Sequence, residues 1–360
     1  MKPLSIVLLV VALLSSCTSL RSIEIDTYSP AAITFPPEIK TVMIVNNSAQ
    51  QPDGVGHGYI RNISNTPASF AMRERIDSTL SVSSDSTAYT FCLSLGRRIA
   101  ESPLFSDVRI CEDTLRLDSA FYDVKPFSAR RLSEMCEEYG VDALISLDKI
   151  FFNTVFSETG LRGFALDNSV EVRMSGELRA LWPGQEHVYS IPFVDSLTWY
   201  WNENLSFEDF LVGLSINDVR PAMLSLSEAA GQGAYVNFVP HWSNDKRWYY
   251  TSISSEWRRG TAFAVANKWA EAAVVWEPLL HKTTNLKQQA RLASNLALCY
   301  EMTGQLDKAV LYAAMSHLYY EELSGADDSS TKLQKLYLGV LQTRVEADKL
   351  VSTQLREATR

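Results

Sequence analysis

The stretch NLALCYEMTGQLDKA, residues 295–309, carries the strongest structural signal in the chain. Apolar residues recur at helical spacing on both sides of Gly304, which predicts two helices joined by a turn at that glycine. Ala309 must be small, because the second helix passes close to the first at that position. One spacing occurs twice in the chain, 37 residues apart. It is formed first by Gly260, Phe263, Ala272 and Trp276, and then by Ala297, Tyr300, Ala309 and Ala313.

This pattern resembles the tetratricopeptide repeat, a family of helical hairpins of about 34 residues, with inserted residues accounting for the longer period. The resemblance implies that residues 252–360 form an all-α tetratricopeptide-like helical-hairpin domain. A helix from about Ser330 onward should cap it. Pro278 falls within the second helix of the first hairpin, where we expect it to kink or end that helix.

Tetratricopeptide arrays bind extended peptides on the face formed by the first helix of each repeat, so the resemblance also implies partner-binding positions. An aromatic ring beside an arginine and a glutamate suits the capture of a short peptide. The alternative is that the preceding domain closes this short face. The candidate positions are Trp257, Thr261, Ala264, Arg291, Ser294, Leu298 and Glu301.

Residues 39–240 alternate between strand and helix signals, which predicts a mixed α/β domain and an α+β protein overall. Ser128 and Gly140 have the residue types of a helix cap at each end, and Asp85 or Ser86 should open another helix. The polar stretch from Ser48 to Asp85 is expected to be a loop. We expect strands at 39–45, 105–110 and 141–152, and helices at 87–101 and 128–140.

The alternation of apolar and polar residues from Val170 to Phe193 predicts a hairpin that turns at Pro183-Gly184. Pro192 cannot donate a ladder hydrogen bond, so the return strand should lie at a sheet edge. Ser206 with Asp209 suggests a capping box. A further helix over 218–230 should stop at Gly231.

The order of these elements resembles the α/β module shared by the TolB amino-terminal domain and the curli-secretion lipoprotein. The phrases LFSDV at 104–108 and YGVDALI at 139–145 carry the likeness. The resemblance implies a fold and no activity.

The amino terminus has a positive start at Lys2, an apolar core over 4–14 and the phrase LSSC ending at Cys17, which resembles the lipobox of bacterial lipoproteins. The resemblance implies that residues 1–16 are a removed signal peptide and that Cys17 is lipidated. The alternative is an ordinary cleaved leader that contains a cysteine. No Asp follows Cys17, so we expect the periplasmic face of the outer membrane.

Two segments are predicted to connect domains. Residues 17–38 read as a proline-containing tether, and 241–251 as an aromatic linker. The phrases VPHW at 239–242 and RWYY at 247–250 add to a resemblance of the whole chain to lipoproteins of unknown function with a carboxy-terminal tetratricopeptide tail.

A net charge of −9 argues against nucleic acid as a partner. The scattered histidines and the absence of CxxC or HExxH spacing predict no metal, no cofactor and no enzyme. Besides Cys17, we expect buried free thiols, with a disulfide as the alternative. These residues are Cys92, Cys111, Cys136 and Cys299.

Two further patterns bear on the surface. The rings of Trp199-Tyr200-Trp201 could stack on a sugar or pack between domains. Asp followed by Ser or Thr resembles an O-glycosylation sequon of some exported bacterial proteins, although the same pair serves in helix caps. The hydroxyl residues concerned are Ser78, Ser86, Thr114, Ser119 and Ser196.

We therefore expect a non-enzymatic, lipid-anchored adaptor of the cell envelope that binds a protein or peptide partner through its helical-repeat surface. The alternative is a lipoprotein that binds a glycan or another envelope ligand through exposed aromatics.

Overall fold

The computed structural model describes residues 20–52, 55–64, 72–74, 84–116, 118, 120–161, 166–201 and 216–358. The predicted α+β class is confirmed, with a mixed sheet in the first part and several helices in the last. The chain divides into two compact units. Of the described residues, the helical unit comprises 20–30 together with His241–Thr353, and the sheet unit comprises those within Ala31–Pro240 together with 354–358.

The elements are numbered along the chain. The strands are β1 (Leu20–Ser29), β2 (Thr41–Asn46), β3 (His57–Ser64), β4 (Met72–Glu74), β5 (Asp107–Thr114), β6 (Ala143–Leu161), β7 (Leu166–Leu181), β8 (Tyr189–Trp201) and β9 (His241–Tyr250). The helices are α1 (Ser84–Ala100), α2 (Ala129–Tyr139), α3 (Ile216–Ala234), α4 (Ser255–Val265), α5 (Trp269–Lys282), α6 (Leu286–Met302), α7 (Leu306–Ser324) and α8 (Ser329–Ala358). None of these helices combines the length and the apolarity needed to cross a bilayer.

The long strand β6 organises the sheet unit. Its first residues pair in parallel with β2 and its last residues in parallel with β3, while β7 pairs antiparallel along the other side. The 7-stranded sheet is completed by β5 beside β2, β4 beside β3, and β8 beside β7. The loop predicted over 48–85 is therefore wrong in part, because β3 and β4 lie within it. Their polar composition gives little strand signal. The partner of β3 is β6, about a hundred positions away, and β4 pairs with β3.

A side chain bridges the gap that β2 and β3 leave along β6. Gln51 accepts a hydrogen bond from the Phe152 backbone N–H (2.8 Å) and donates to the Phe152 carbonyl (2.8 Å), as a paired strand residue would. The β6 bulge beside the gap contains the buried Asp148, whose carboxylate accepts from Asn47 (2.8 Å) and Ser146 (2.6 Å). Burial raises the pKa of Asp148.

Both faces of the sheet are covered, as the alternation within β2 shows. Val42 and Ile44 belong to a core that includes Phe91 of α1, whereas Met43 and Val45 belong to a second core that includes Met135 of α2. A strand buried on both faces reads as a continuous apolar run. For that reason β2 was visible in the sequence.

Helix ends in the sheet unit were predicted with mixed success. The Ser128 side chain accepts from Arg131 N, and Gly140 (φ 59°) closes α2, both as predicted. Helix α1 begins at Ser84, so Asp85 and Ser86 lie inside its first turn. The stop predicted at Gly231 is wrong, because α3 continues to Ala234. A Cβ at Gly231 would lie 2.4 Å from the Phe91 carbonyl oxygen, so this glycine allows α3 to approach α1 closely.

The hairpin of β7 and β8 is confirmed. Gly184 has φ 79°, and Pro192 lies opposite Glu177 in a strand that pairs only with β7 among the described residues. The capping box suggested at Ser206 and Asp209 lies outside the described residues.

The 37-residue spacing is confirmed in the helical unit. Helices α4 and α6 end 37 residues apart, and α5 and α7 begin 37 residues apart. The turn residues Asn267 and Gly304 both have positive φ, 58° and 72°. Ala309 is fully buried, as expected for a close helix approach. Within the first pair, a Cβ at Gly260 would lie 2.3 Å from Nε1 of Trp276, so the absence of a side chain there makes room for the indole.

Helix α5 continues through its proline, and α8 begins close to the expected residue. Pro278 lies inside α5, which continues to Lys282, so the proline does not end the helix. The preceding turn places Val274, which is 72% exposed, on the solvent side, where water can satisfy the backbone group that a proline leaves unpaired. The capping helix begins at Ser329, one residue before the predicted start.

The expected tether (17–38) and the expected linker (241–251) each contain a β-strand. Residues 20–29 and 241–250 form an antiparallel two-stranded ribbon, with Leu20 opposite Tyr250 and Ser29 opposite His241. Thr27 and Ser243 meet through their hydroxyls although they are 216 positions apart. Neither segment has a strand partner nearby in sequence, and a ribbon of this kind depends on packing against other elements for its stability.

Candidate binding groove

Most of the residues expected to bind a peptide lie in the interior of the helical unit. Thr261 and Arg291 are half-buried, and the other five are buried. The predicted open groove at these positions is therefore wrong. The alternative was closure by the preceding domain, but strand β9 of the same unit covers this face. The buried five are Trp257, Ala264, Ser294, Leu298 and Glu301.

The helical unit holds the end of β9 as a peptide-binding array would hold a ligand. Asn295 of α6 accepts from the Tyr250 N–H (2.7 Å) and donates to the Tyr250 carbonyl (2.8 Å). The Trp257 indole donates to the same carbonyl (3.0 Å), and the Arg291 guanidinium lies 5.5 Å from the centre of the Tyr250 ring. Several predicted residues thus bind an extended segment, and that segment is the chain's own strand.

Glu301 is the centre of a buried ionic network. Its carboxylate accepts from Arg247 of β9 (2.9 Å from Nη2), from Arg344 of α8 (2.5 Å) and from the Tyr337 hydroxyl (2.8 Å). Burial lowers the pKa of Arg247, but the Glu301 hydrogen bonds and charge outweigh it and leave that pKa raised. Burial, followed by the Glu301 charge, raises the pKa of Tyr337. The network ties β9, α6 and α8 together.

A groove of about 680 Å³ lies in the helical unit between the ribbon and α8. Its floor is the face of α8 that carries Leu336, which is 61% exposed, together with Val340. Between them, a Cβ added at Gly339 would meet nothing within 4 Å, so this face of the helix is open, whereas Tyr337 on its other face is buried. The groove can therefore accommodate an apolar side chain.

The walls of the groove are polar and mainly basic. The ribbon contributes Thr27, whose hydroxyl donates to Asp245 (2.9 Å). Four basic side chains and one acidic side chain line the groove, in a chain whose net charge is −9. The basic residues are Arg247, Lys332, Lys335 and Arg344.

The lipidation and glycosylation positions are only partly described. Cys17, Ser78 and Ser119 lie outside the described residues, and Thr114 ends β5 with its side chain undescribed. Ser86 lies in the first turn of α1. Ser196 is exposed on the edge strand β8.

The remaining candidates are the aromatic triplet, the cysteines and any metal ligands. The aromatic triplet 199–201 ends β8, and its side chains are outside the described part. The four cysteines after Cys17 are free and buried, as expected, and burial raises the pKa of Cys136 to about 11. Within the described residues, no group of three His, Cys, Asp or Glu side chains could hold a metal ion.

Two family models match the chain, and neither family has an assigned function. A family described as "Domain of unknown function (DUF6340)" matches residues 258–343, from α4 into α8. No curated protein matches the chain. A family described as "Domain of unknown function (DUF8603)" matches residues 39–250, and therefore includes β9 as well as most of the sheet unit. Since this match covers more than half of the chain, the protein belongs to the DUF8603 family.

Proposed function

We propose that the protein is a non-enzymatic, lipid-anchored adaptor of the cell envelope that binds an acidic, amphipathic segment of a partner protein in the groove beside α8. The supporting observation is an exposed apolar helix face bordered by basic side chains in an otherwise acidic chain. Exposed leucines are common singly, but Leu336 lies in a concavity next to Val340.

The charges of the groove favour an acidic partner. Arg247 and Arg344 are already bound to Glu301, so their charge is partly balanced. Lys332 is paired with the exposed Asp327 (3.3 Å), and Lys335 has no ion pair among the described residues. A carboxylate entering the groove would find Lys335 without displacing an existing partner. Complementary charge of this kind contributes mainly to specificity and association rate.

The groove can be tested with three peptides of equal length that carry the same apolar residues at helical spacing. The residues between the apolar positions are acidic in the first peptide, neutral in the second and basic in the third. Fluorescence anisotropy with the whole protein should show binding of the acidic peptide. Lys335→Glu should weaken it at least tenfold. The matched control is Lys349→Glu on the same helix, whose side chain is exposed, paired with Glu346 and outside the groove.

The apolar floor has its own control. Leu336→Ser should weaken peptide binding, whereas Leu318→Ser on α7 should not, although both leucines are about equally exposed (61% and 59%). Equal effects of the two lysine reversals, or equal binding of the basic peptide, would reject the groove as the partner site.

The lipid anchor is tested separately. Cys17→Ala should release the protein from the membrane fraction, which we expect to be the periplasmic face of the outer membrane. A Cys17→Ala protein that remains in washed membranes would contradict anchoring through that residue.

A glycan or envelope ligand is the second candidate. Trp242 is 67% exposed, and its ring lies 4.9 Å from that of Tyr28, which lines the groove. Flat exposed rings of this kind can stack on sugar faces. Titration with envelope oligosaccharides should then give a fluorescence change that Trp242→Ala abolishes, while acidic-peptide binding persists.

A further inference from the structure

We infer that the Leu20 end of the ribbon lies against an anionic lipid surface. The contact surface, here called the end patch, consists of Leu20, Arg21, Ile253, Arg258 and Arg259. The inference rests on the proposed lipid anchor for the position of the membrane, and on the described residues for the chemistry of the patch.

The fold brings these residues to one end of the helical unit. Leu20 is paired with Tyr250, the last residue of β9. The Trp257 indole donates to the Tyr250 carbonyl (3.0 Å), which fixes the first turn of α4 beside the same strand end. Ile253 lies in the short connection between the two, directly before the capping residue Ser254.

The exposed chemistry of the end patch suits a membrane interface. Ile253 is 80% exposed and Leu20 50% exposed, so two large apolar side chains at this end of the helical unit are left in water. The three arginines are exposed and make no ion pair within the described part of the chain. Glu256 is the acidic residue within the same turn. Apolar side chains that insert among lipid headgroups, flanked by arginine, are the pattern of interfacial binding.

The length of chain before β1 selects a membrane over a peptide as the occupant. Two residues separate Cys17 from Leu20. At 3.8 Å between consecutive Cα atoms, the Cα atoms of Cys17 and Leu20 are at most about 11 Å apart. A lipid on Cys17 would therefore hold the end patch at the headgroups. The flexible tether predicted from the sequence would have imposed no such orientation.

The test uses the chain from residue 17 with Cys17→Ser, expressed without a leader, so that no lipid contributes. It should sediment with vesicles of phosphatidylcholine and phosphatidylglycerol and not with phosphatidylcholine alone. Arg258→Gln and Arg259→Gln should each lower the partition coefficient about fivefold, since a basic residue near an anionic surface contributes about 1 kcal/mol. Ile253→Ser should lower it further.

The controls are Lys349→Gln and Leu318→Ser, which remove an exposed charge and an exposed leucine elsewhere in the helical unit. The proposed membrane contact of the end patch would be refuted if the protein does not bind vesicles or binds both kinds equally. It would also be refuted if the patch variants and the control variants have equal effects. Mass analysis of the native protein tests Cys17 lipidation independently. An unlipidated protein whose vesicle binding still depends on Arg258 would refute the anchor and leave the patch intact.

Discussion

Replacing Glu301 by Gln should destabilise the helical unit strongly. The substitution keeps the shape of the side chain but leaves Arg247 and Arg344 around a neutral amide. Removing one partner of a buried ion pair costs about 3–5 kcal/mol. Arg344 remains 24% exposed, so solvent can compensate one of the two guanidinium groups. We therefore expect a loss near the lower end, about 3 kcal/mol.

Amide hydrogen exchange localised to β9 and α6 is the appropriate assay, because a two-unit chain need not unfold in one transition. In a double-mutant cycle, Arg344→Met should cost less in the Glu301→Gln background than in the parent. Glu346→Gln is the control, because its exposed pair with Lys349 should contribute under about 1 kcal/mol. A Glu301→Gln effect as small as that of the control would refute the buried network and return Glu301 to an open, solvated surface.

The remaining predictions concern packing, pH and thiols. Gly260→Ala should cost about 1–3 kcal/mol by overpacking against the Trp276 indole, and Trp276→Leu in the same chain should recover part of it, as measured by urea denaturation. Because burial holds the pKa of Asp148 above its ordinary value, its contribution to stability is full below the ordinary Asp pKa and is lost as pH rises through the raised pKa. Asp148→Asn should flatten this pH dependence of stability, measured by hydrogen exchange in β6. If the slope against pH is unchanged, the pH dependence arises from other groups. Ellman's reagent should modify none of the buried thiols until the protein is denatured, and fast reaction of the native protein would contradict their burial. These thiols are Cys92, Cys111, Cys136 and Cys299.

Local signals were sufficient where the structure depends on neighbouring residues. The caps of α2 at Ser128 and Gly140, the turn at Gly184 and the 37-residue helix spacing were all readable, because each depends on nearby backbone geometry. Gly231 shows the limit of this reasoning. A glycine can end a helix or allow close packing inside one, and only the neighbouring carbonyl of Phe91 distinguishes the two.

The ribbon and the groove could not be read from the sequence because they depend on distant pairing. The sequence pattern led to Glu301 and Trp257 as residues that contact an extended segment, but it could not show that β9 is that segment. The groove needs the face of α8 and the ribbon together. Leu336 and Val340 lie at the helical spacing of core residues. The sequence alone therefore could not show that both side chains are exposed.

The pairing of β1 with β9 also sets an order of events during synthesis. Thr27 can pair with Ser243 only after a further 216 residues have been synthesised. At about 5–20 residues per second, that delay is roughly 10–40 s. The elements β2 to β8 and α1 to α3 lie between the two strands and can fold within this interval, whereas the helical unit cannot. Until β9 emerges, β1 is a strand without a partner, and a chaperone that shields residues 20–29 would protect the protein at its most vulnerable stage.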